Sequence, residues 1–172
     1  MFHSFSTYNS YINNIKEIIK LKESGIVKKI GVSAYSNSEI DNIINDYRID
    51  LIQIPFNVLD NSTEKIDLIK KAKSVGKIVQ ARSVFLQGLF FKDPNENNII
   101  VKKLRNELKE IKRISSENNM PIINLALSYV LNQEYIDNVL IGVDSLSQLK
   151  QNLISIDKEI NKNIVQSIEK IK

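Results

Sequence analysis

The sequence predicts an α/β fold with parallel strands, on three observations. Residues 21–33 (LKESGIVKKIGVS) contain a helix end, a glycine suited to the left-handed closing position, and a short apolar strand at residues 30–32, with Ser33 just past its carboxyl end. Residues 68–80 repeat this order of helix, glycine and strand. Residues 49–55 and 137–142 add two further apolar runs after helical segments. Helices that alternate with short buried strands indicate parallel βα units, whose strand carboxyl ends hold ligands.

Composition narrows the class of protein. The chain has 172 residues, 42% of them hydrophobic, and no linker, so we expect a single domain over residues 1–172. The formal charge of +4 comes from lysines mixed with acidic residues, which indicates a solvated surface and no nucleic-acid partner. No cysteine and a single histidine exclude thiolate and histidine-rich metal sites. Without a membrane span of ~20 apolar residues or a signal peptide, we expect no membrane partner and a cytoplasmic location.

The first elements follow from short-range patterns. Residues 1–5 suit the end of a strand, and the apolar spacing over residues 11–19 predicts a helix. Ser36 and Glu39 form a capping-box pattern, which predicts a helix that runs to about Tyr47.

Gln53 is a polar residue inside the apolar strand predicted at residues 51–55. A buried amide without partners costs roughly 1–3 kcal/mol, so its side chain is expected either to meet backbone groups or to point at a ligand. From the residues alone both alternatives stay open.

The next elements follow the same logic. Asn61 and Glu64 predict a capped helix. Residues 78–84 predict a strand that carries Arg82 and Ser83 towards its carboxyl end. A long loop is predicted at residues 85–98 and a last strand at residues 139–141. Four further helices are predicted at residues 101–117, 122–131, 145–156 (capped by Ser145 with Gln148) and 158–170.

Six segments, in order, resemble those of the aldo-keto reductase family. They are His3 in a strand end, residues 21–33, LIQIPFN at 51–57, ARSVFLQGL at 81–89, LIGVDS at 140–145 and QLKQN at 148–152. The resemblance implies a (β/α)8 TIM barrel that uses NADPH or NADH to reduce aldehydes and ketones. It also implies that this chain is a partial barrel of about five parallel strands with flanking helices, corresponding to the fourth to eighth strands, with the first three βα units missing.

The resemblance assigns roles to twelve residues. The catalytic histidine is His3, and the family's catalytic tyrosine, lysine and aspartate have no counterpart. The nicotinamide carboxamide is assigned to Ser33 and Gln53, and its ring to Arg82, where many members have tyrosine. The residues assigned to the rest of the cofactor are Ser83, Gln87 and Gly88 at the pyrophosphate, Gly142 and Gln148 on the side of the 2′-phosphate, and Gln151 and Asn152 at adenine. Ser145 is also assigned to the cofactor.

Departures from the family pattern affect the cofactor. Ala34 replaces an asparagine that would contact the carboxamide, and Gly142 and Gln148 stand where many members place basic residues. We therefore expect weak binding, with the choice between NADPH and NADH open.

Two interpretations follow. The first is an NAD(P)H-dependent oxidoreductase polypeptide, truncated and inactive alone; the alternative is a non-catalytic binding or assembly module descended from the family. Five strands would leave open edges and inward side chains such as Ile30, Ile52 and Ile78 uncovered. We therefore expect a homo-oligomer or association with the missing barrel half. The substrate does not follow from the sequence.

Overall fold

The computed structural model of the chain describes residues 1–156 and 159–171. Its helices are α1 (Phe5–Tyr11), α2 (Ile15–Glu23), α3 (Asn37–Ile44), α4 (Thr63–Ser74), α5 (Ile99–Lys103), α6 (Arg105–Glu117), α7 (Ile122–Leu131), α8 (Leu146–Ile156) and α9 (Lys162–Glu169). Its strands are β1 (Gly31–Ser33), β2 (Leu51–Pro55), β3 (Ile78–Arg82) and β4 (Asn138–Val139). None of the described helices has the length and hydropathy needed to cross a membrane.

The four strands form one parallel sheet in the order β1-β2-β3-β4, which confirms the predicted α/β class. The expected fifth strand at residues 1–5 is reduced to a single bridge, in which the Phe2 N–H donates to the Gly31 carbonyl at 2.8 Å. The segment cannot extend further because Ser4 already caps α1, its hydroxyl accepting the Thr7 N–H at 3.1 Å.

The chain divides into two compact units, and each has its own core. The first comprises Met1–Pro55, Ser62–Ala81 and Tyr135–Asn138, and the second Phe56–Asn61, Arg82–Glu134 and Val139–Lys172. The prediction of one domain over the whole chain stays a prediction.

The core of the first unit lies around β1 and β2. Val32 and Ile52 are buried in it together with α3 residues such as Ile40. The expectation of uncovered side chains is wrong for Ile30 and Ile52, whose exposed fractions are 3% and 1% in a unit where α1 packs against β1. Ile78 is half-buried.

The core of the second unit is built by α6, α7 and the segment after β2. Phe56 and Tyr129 are fully buried, and their rings stack with centroids 6.0 Å apart and planes 4° apart. Leu108 and Ile111 bury the apolar stripe of α6.

Several helix boundaries confirm the sequence predictions. Ser36 and Glu39 form the predicted capping box, and α7 spans the predicted residues. Gly25 and Gly76 have φ angles of +78° and +81° after α2 and α4, as the left-handed closing position requires.

The predicted cap of α4 is wrong by one residue. The Ser62 hydroxyl, not Asn61, accepts the Lys65 N–H at 3.3 Å. The Asn61 side chain instead donates to the Tyr129 hydroxyl at 2.8 Å, a partner distant in sequence that local patterning does not reveal.

Other boundaries differ from the predictions. Residues 11–19, predicted as one helix, comprise the last residue of α1, a 3-10 turn at Ile12–Asn14 and the first part of α2, and the helix predicted at 101–117 is interrupted at Leu104. The last strand is Asn138–Val139 rather than residues 139–141. The last helix begins after Asn161, whose side chain accepts the Ile164 N–H; its predicted start at Lys158 lies outside the described residues.

An aspartate before β2 fastens the amino ends of two strands in the first unit. The Asp50 carboxylate accepts the Ile30 backbone N–H at 2.7 Å and is paired with Lys22 at 2.6 Å. Burial raises the pKa of Asp50, but the hydrogen bonds from Lys22 and from the Ile30 N–H outweigh burial and hold the pKa below its usual value.

Asp137, before β4, repeats this arrangement. It accepts the Val79 N–H at 2.7 Å and pairs with Lys73. Burial raises the pKa of Asp137, but the hydrogen bonds from Lys73 and from the Val79 N–H outweigh burial and hold the pKa below its usual value. Lys22 and Lys73 each lie three residues before the glycine that follows their helix, so the two βα units share one construction.

Candidate functional site

A row of three polar side chains crosses the sheet in the first unit. Ser33, Gln53 and Gln80 are each the third residue of their strand, and Ser33 is the register partner of Gln53. Ser33 and Gln53 are 3% and 6% exposed. The structure therefore brings together the two residues assigned to the carboxamide and adds Gln80, which the sequence analysis missed. The signal was available, since Gln80 interrupts an apolar strand as Gln53 does.

Gln53 takes neither of the two courses expected from its burial. Its Nε2 donates to the Gln80 Oε1 at 2.6 Å, so the amide is satisfied by a neighbouring side chain rather than by backbone or ligand. In the described part of the chain, no hydrogen bond uses the Ser33 hydroxyl, while the Ser33 backbone N–H donates to the Phe2 carbonyl at 3.1 Å. The row thus has a fixed amide beside a hydroxyl that is available to a ligand.

His3 follows Phe2, the residue that bridges to β1, and is exposed. The bridge puts the histidine at the carboxyl end of the sheet, one residue beyond the carbonyl that accepts the Ser33 N–H. Ala34, at the position of the family's asparagine, is fully buried.

A tyrosine, an aspartate and a lysine also lie together in the first unit, ahead of β2 and β3. The buried Tyr8 hydroxyl donates to Asp46, and the Lys77 Nζ donates to the backbone carbonyls of Asp46 and Ile49 at 2.6 and 2.5 Å. These groups precede the strands rather than follow them, and their polar atoms form hydrogen bonds to backbone carbonyls and to one another. We assign them a structural role.

In the second unit, the loop after β3 has an unusual backbone. Ser83, Leu86 and Gln87 have φ angles of +60°, +46° and +55°, and Gly88 has +81°. Such conformations cost non-glycine residues about 1–3 kcal/mol each and concentrate at ligand-binding segments. The buried Asn57 stabilises the start of the loop by donating to the Ser83 carbonyl at 3.1 Å.

This loop lines a cavity of about 780 Å³, within the usual range of ligand pockets. The cavity brings together seven of the sequence-predicted cofactor residues: Ser83, Gln87, Gly88, Gly142, Gln148, Gln151 and Asn152. The other four predicted cofactor residues are not among its lining: Ser33 and Gln53 belong to the first unit, and Arg82 and Ser145 to the second. The Ser145 hydroxyl caps α8 by accepting the Gln148 N–H at 3.2 Å, and the Arg82 Nη1 donates to the Ser83 Oγ at 3.1 Å.

The lining suits a nucleotide. Amide side chains and backbone at Gly88 and Gly142 supply hydrogen-bonding groups, and Val84, Phe85 and Ile123 supply apolar surface for a base. Among the described residues that line it, Asp144 is the only ionisable side chain. The residues present therefore fit the adenosine part of a dinucleotide.

No group of three or more potential metal ligands occurs within residues 1–156 and 159–171.

The model of the Aldo/keto reductase family matches residues 1–172. The chain belongs to the aldo/keto reductase family. A search of curated proteins gave no match.

Solved aldo-keto reductases have the same fold. The chain is similar to AKR11C1 from Bacillus halodurans in its apo form, with a TM-score of 0.72 and 24% identity over 88% of this chain and 53% of that one. The holo form gives a TM-score of 0.71 and 21% identity, with coverages of 88% and 52%. A thermostable aldo-keto reductase, Tm1743, solved with the inhibitor epalrestat, gives 0.66 and 15%, with coverages of 90% and 52%. The chain spans about half the length of these structures, which supports the partial TIM barrel.

Proposed function

We propose that this chain carries cofactor-binding residues of an NAD(P)H-dependent aldo-keto reductase that converts a carbonyl to an alcohol, and that it corresponds to the fourth to eighth strands of the barrel. The observation that carries the proposal is the cavity of the second unit. Seven residues assigned to the cofactor by family resemblance line it, although they come from segments as far apart as residues 83 and 152.

In the first unit, Ser33 and Gln53 are proposed to bind the nicotinamide carboxamide. The Gln53 Nε2 is held by Gln80, so its carbonyl oxygen is the group left to accept from the carboxamide NH₂. The Ser33 hydroxyl donates to the carboxamide oxygen. A buried hydroxyl and a fixed amide would orient the ring with little loss of side-chain entropy.

When bound, the cofactor supplies the hydride. His3 is proposed to orient the carbonyl by a hydrogen bond from its imidazole, as its family context implies. No residue of this chain matches the family's tyrosine, lysine and aspartate, so we propose that the general acid comes from outside residues 1–172. A general acid typically contributes about 10²- to 10⁴-fold, and we expect the purified chain alone to give no measurable aldehyde reduction.

Titration of the full chain with NADH and with NADPH, followed by the fluorescence of the reduced nicotinamide, tests the proposal. Gln53→Ala removes one hydrogen-bond acceptor and should weaken binding by about fivefold, the equivalent of about 1 kcal/mol. Gln166→Ala, at an exposed position of α9, is the matched control and should leave affinity unchanged.

Circular dichroism of each variant shows whether it is folded. Failure of both cofactors to bind would refute the proposed function. Unchanged affinity in a folded Gln53→Ala variant would refute only the carboxamide assignment.

A further inference from the structure

We infer that Asp144 makes the cavity of the second unit selective for an adenosine whose ribose carries no 2′-phosphate, so that this chain binds NADH in preference to NADPH. The inference rests on the proposed function and deepens it by naming the cofactor and the residue that selects it.

The charges of the cavity are the first step. Its described lining contains one carboxylate, Asp144, and no lysine, arginine or histidine. Lys150, on α8, is exposed and is not part of the lining. A 2′-phosphate carries about 1.5–2 negative charges at neutral pH and is normally bound by arginine or lysine. Here it would meet an acid and find no cationic partner.

The placement of Asp144 is the second step. Its backbone N–H donates to the Gln148 Oε1 at 2.7 Å, and the Gln148 N–H donates to the Ser145 Oγ at 3.2 Å. These two bonds join Asp144 and Ser145 to Gln148 and hold Asp144 just ahead of α8. The amino terminus of a helix favours an anion, and Asp144 already supplies one. This end of α8 is therefore less favourable to a phosphate than an uncharged sequence would make it.

Gln148 does not replace the missing cation, because its side-chain amide is neutral. Its Oε1 is engaged by the Asp144 N–H, so the residue serves as part of the helix cap. Its Nε2 remains a neutral donor suited to a hydroxyl. A carboxylate beside it can accept from ribose hydroxyls, which is how acidic residues select NAD over NADP in other dinucleotide sites.

Two small nucleotides test the selectivity without involving the nicotinamide residues. Isothermal titration of the full chain with adenosine 5′-monophosphate and with adenosine 2′,5′-bisphosphate, alongside NADH and NADPH, compares ligands that differ by the 2′-phosphate. We expect each ligand without a 2′-phosphate to bind about three- to tenfold more tightly than its 2′-phosphorylated counterpart, since exposed charge pairs contribute modestly and the 2′-phosphate carries more than one charge. Because Asp144 is exposed, 0.5 M salt should reduce this ratio.

Three variants assign the effect to the residue. Asp144→Asn should bring the ratio to within about twofold, and Asp144→Lys should reverse the preference, since it places a cation in the lining. Both substitutions keep the backbone N–H that donates to the Gln148 Oε1. Glu134→Gln, the control, removes the same charge from an exposed position of the second unit outside the cavity and should leave the ratio unchanged.

The outcomes distinguish a failure of the selectivity inference from a failure of the proposed function. Equal or tighter binding of the 2′-phosphorylated ligands by the wild-type chain would overturn the selectivity and leave the proposed function intact. A ratio unaffected by both Asp144 substitutions would overturn the role of this residue. No binding of any of the four nucleotides would overturn the proposed function and the inference with it.

Discussion

Replacement of Asp50 by asparagine probes how the amino ends of the strands are fastened. The wild-type carboxylate accepts the N–H of the buried Ile30 and pairs with Lys22. Asp50→Asn keeps the shape and one oxygen acceptor but removes the negative charge. The variant should fold, with a lower free energy of unfolding.

The magnitude follows from the exposure of each partner. A hydrogen bond to a charged group contributes about 1.5–3 kcal/mol and a neutral one about 0.5–1.5, so the bond to the Ile30 N–H should lose about 1 kcal/mol. The side chains of Lys22 and Asp50 are 35% and 27% exposed, so solvent screens the ion pair and its loss adds at most about 1 kcal/mol. The total is about 1–2 kcal/mol, or about 2–8 °C in Tm for a chain of this length.

The effect should depend on pH with a definite sign. The pKa of Asp50 is lower in the folded chain than its ordinary value of about 3.9, because the hydrogen bonds from Lys22 and Ile30 outweigh the effect of burial. The ionised carboxylate therefore contributes its full stability above about pH 4 and loses it as the pH falls through the folded pKa. The difference in Tm between wild type and Asp50→Asn should be greatest near neutral pH and shrink below about pH 4.

Thermal unfolding by circular dichroism at pH 7 and at pH 3 measures both quantities. Asp41→Asn is the control, because Asp41 pairs with Lys71 at 2.8 Å with both side chains about half exposed and should change stability by less than about 0.5 kcal/mol. Equal losses in the two variants at pH 7, or a difference for Asp50→Asn that grows at pH 3, would refute the reasoning.

Two further predictions concern packing and assembly. Gly31→Ala should destabilise the chain by about 1–3 kcal/mol in chemical denaturation, because the new Cβ would lie 3.0 Å from the Leu51 Cδ2 and 3.2 Å from the Leu51 carbonyl oxygen. Gly142→Ala, where nothing lies within 4 Å, is its control, and a similar loss there would contradict the packing argument. The purified chain should self-associate at micromolar concentration in light scattering, because Leu146 and Leu153 of α8 are 67% and 53% exposed. Leu153→Ser should reduce the association. A wild-type chain that stays monomeric would contradict the prediction of self-association.

The sequence alone predicted the features that depend on neighbours within a few residues. The glycines after α2 and α4, the capping box of Ser36, and the span of α7 follow from short-range hydrogen bonds and apolar spacing. Ordered motifs along the chain also indicated the family, which the family match confirms.

Only the tertiary structure decided which partners these residues have. Gln80 satisfies Gln53 across 27 positions of sequence. Tyr129 takes the Asn61 side chain away from the helix cap that its sequence pattern predicts. The proposed role of Asp144 in cofactor selection depends on a cavity whose described lining contains no cation. Local spacing cannot specify such features, because they depend on which side chains from distant segments meet when the chain packs, and on the charges that packing places together.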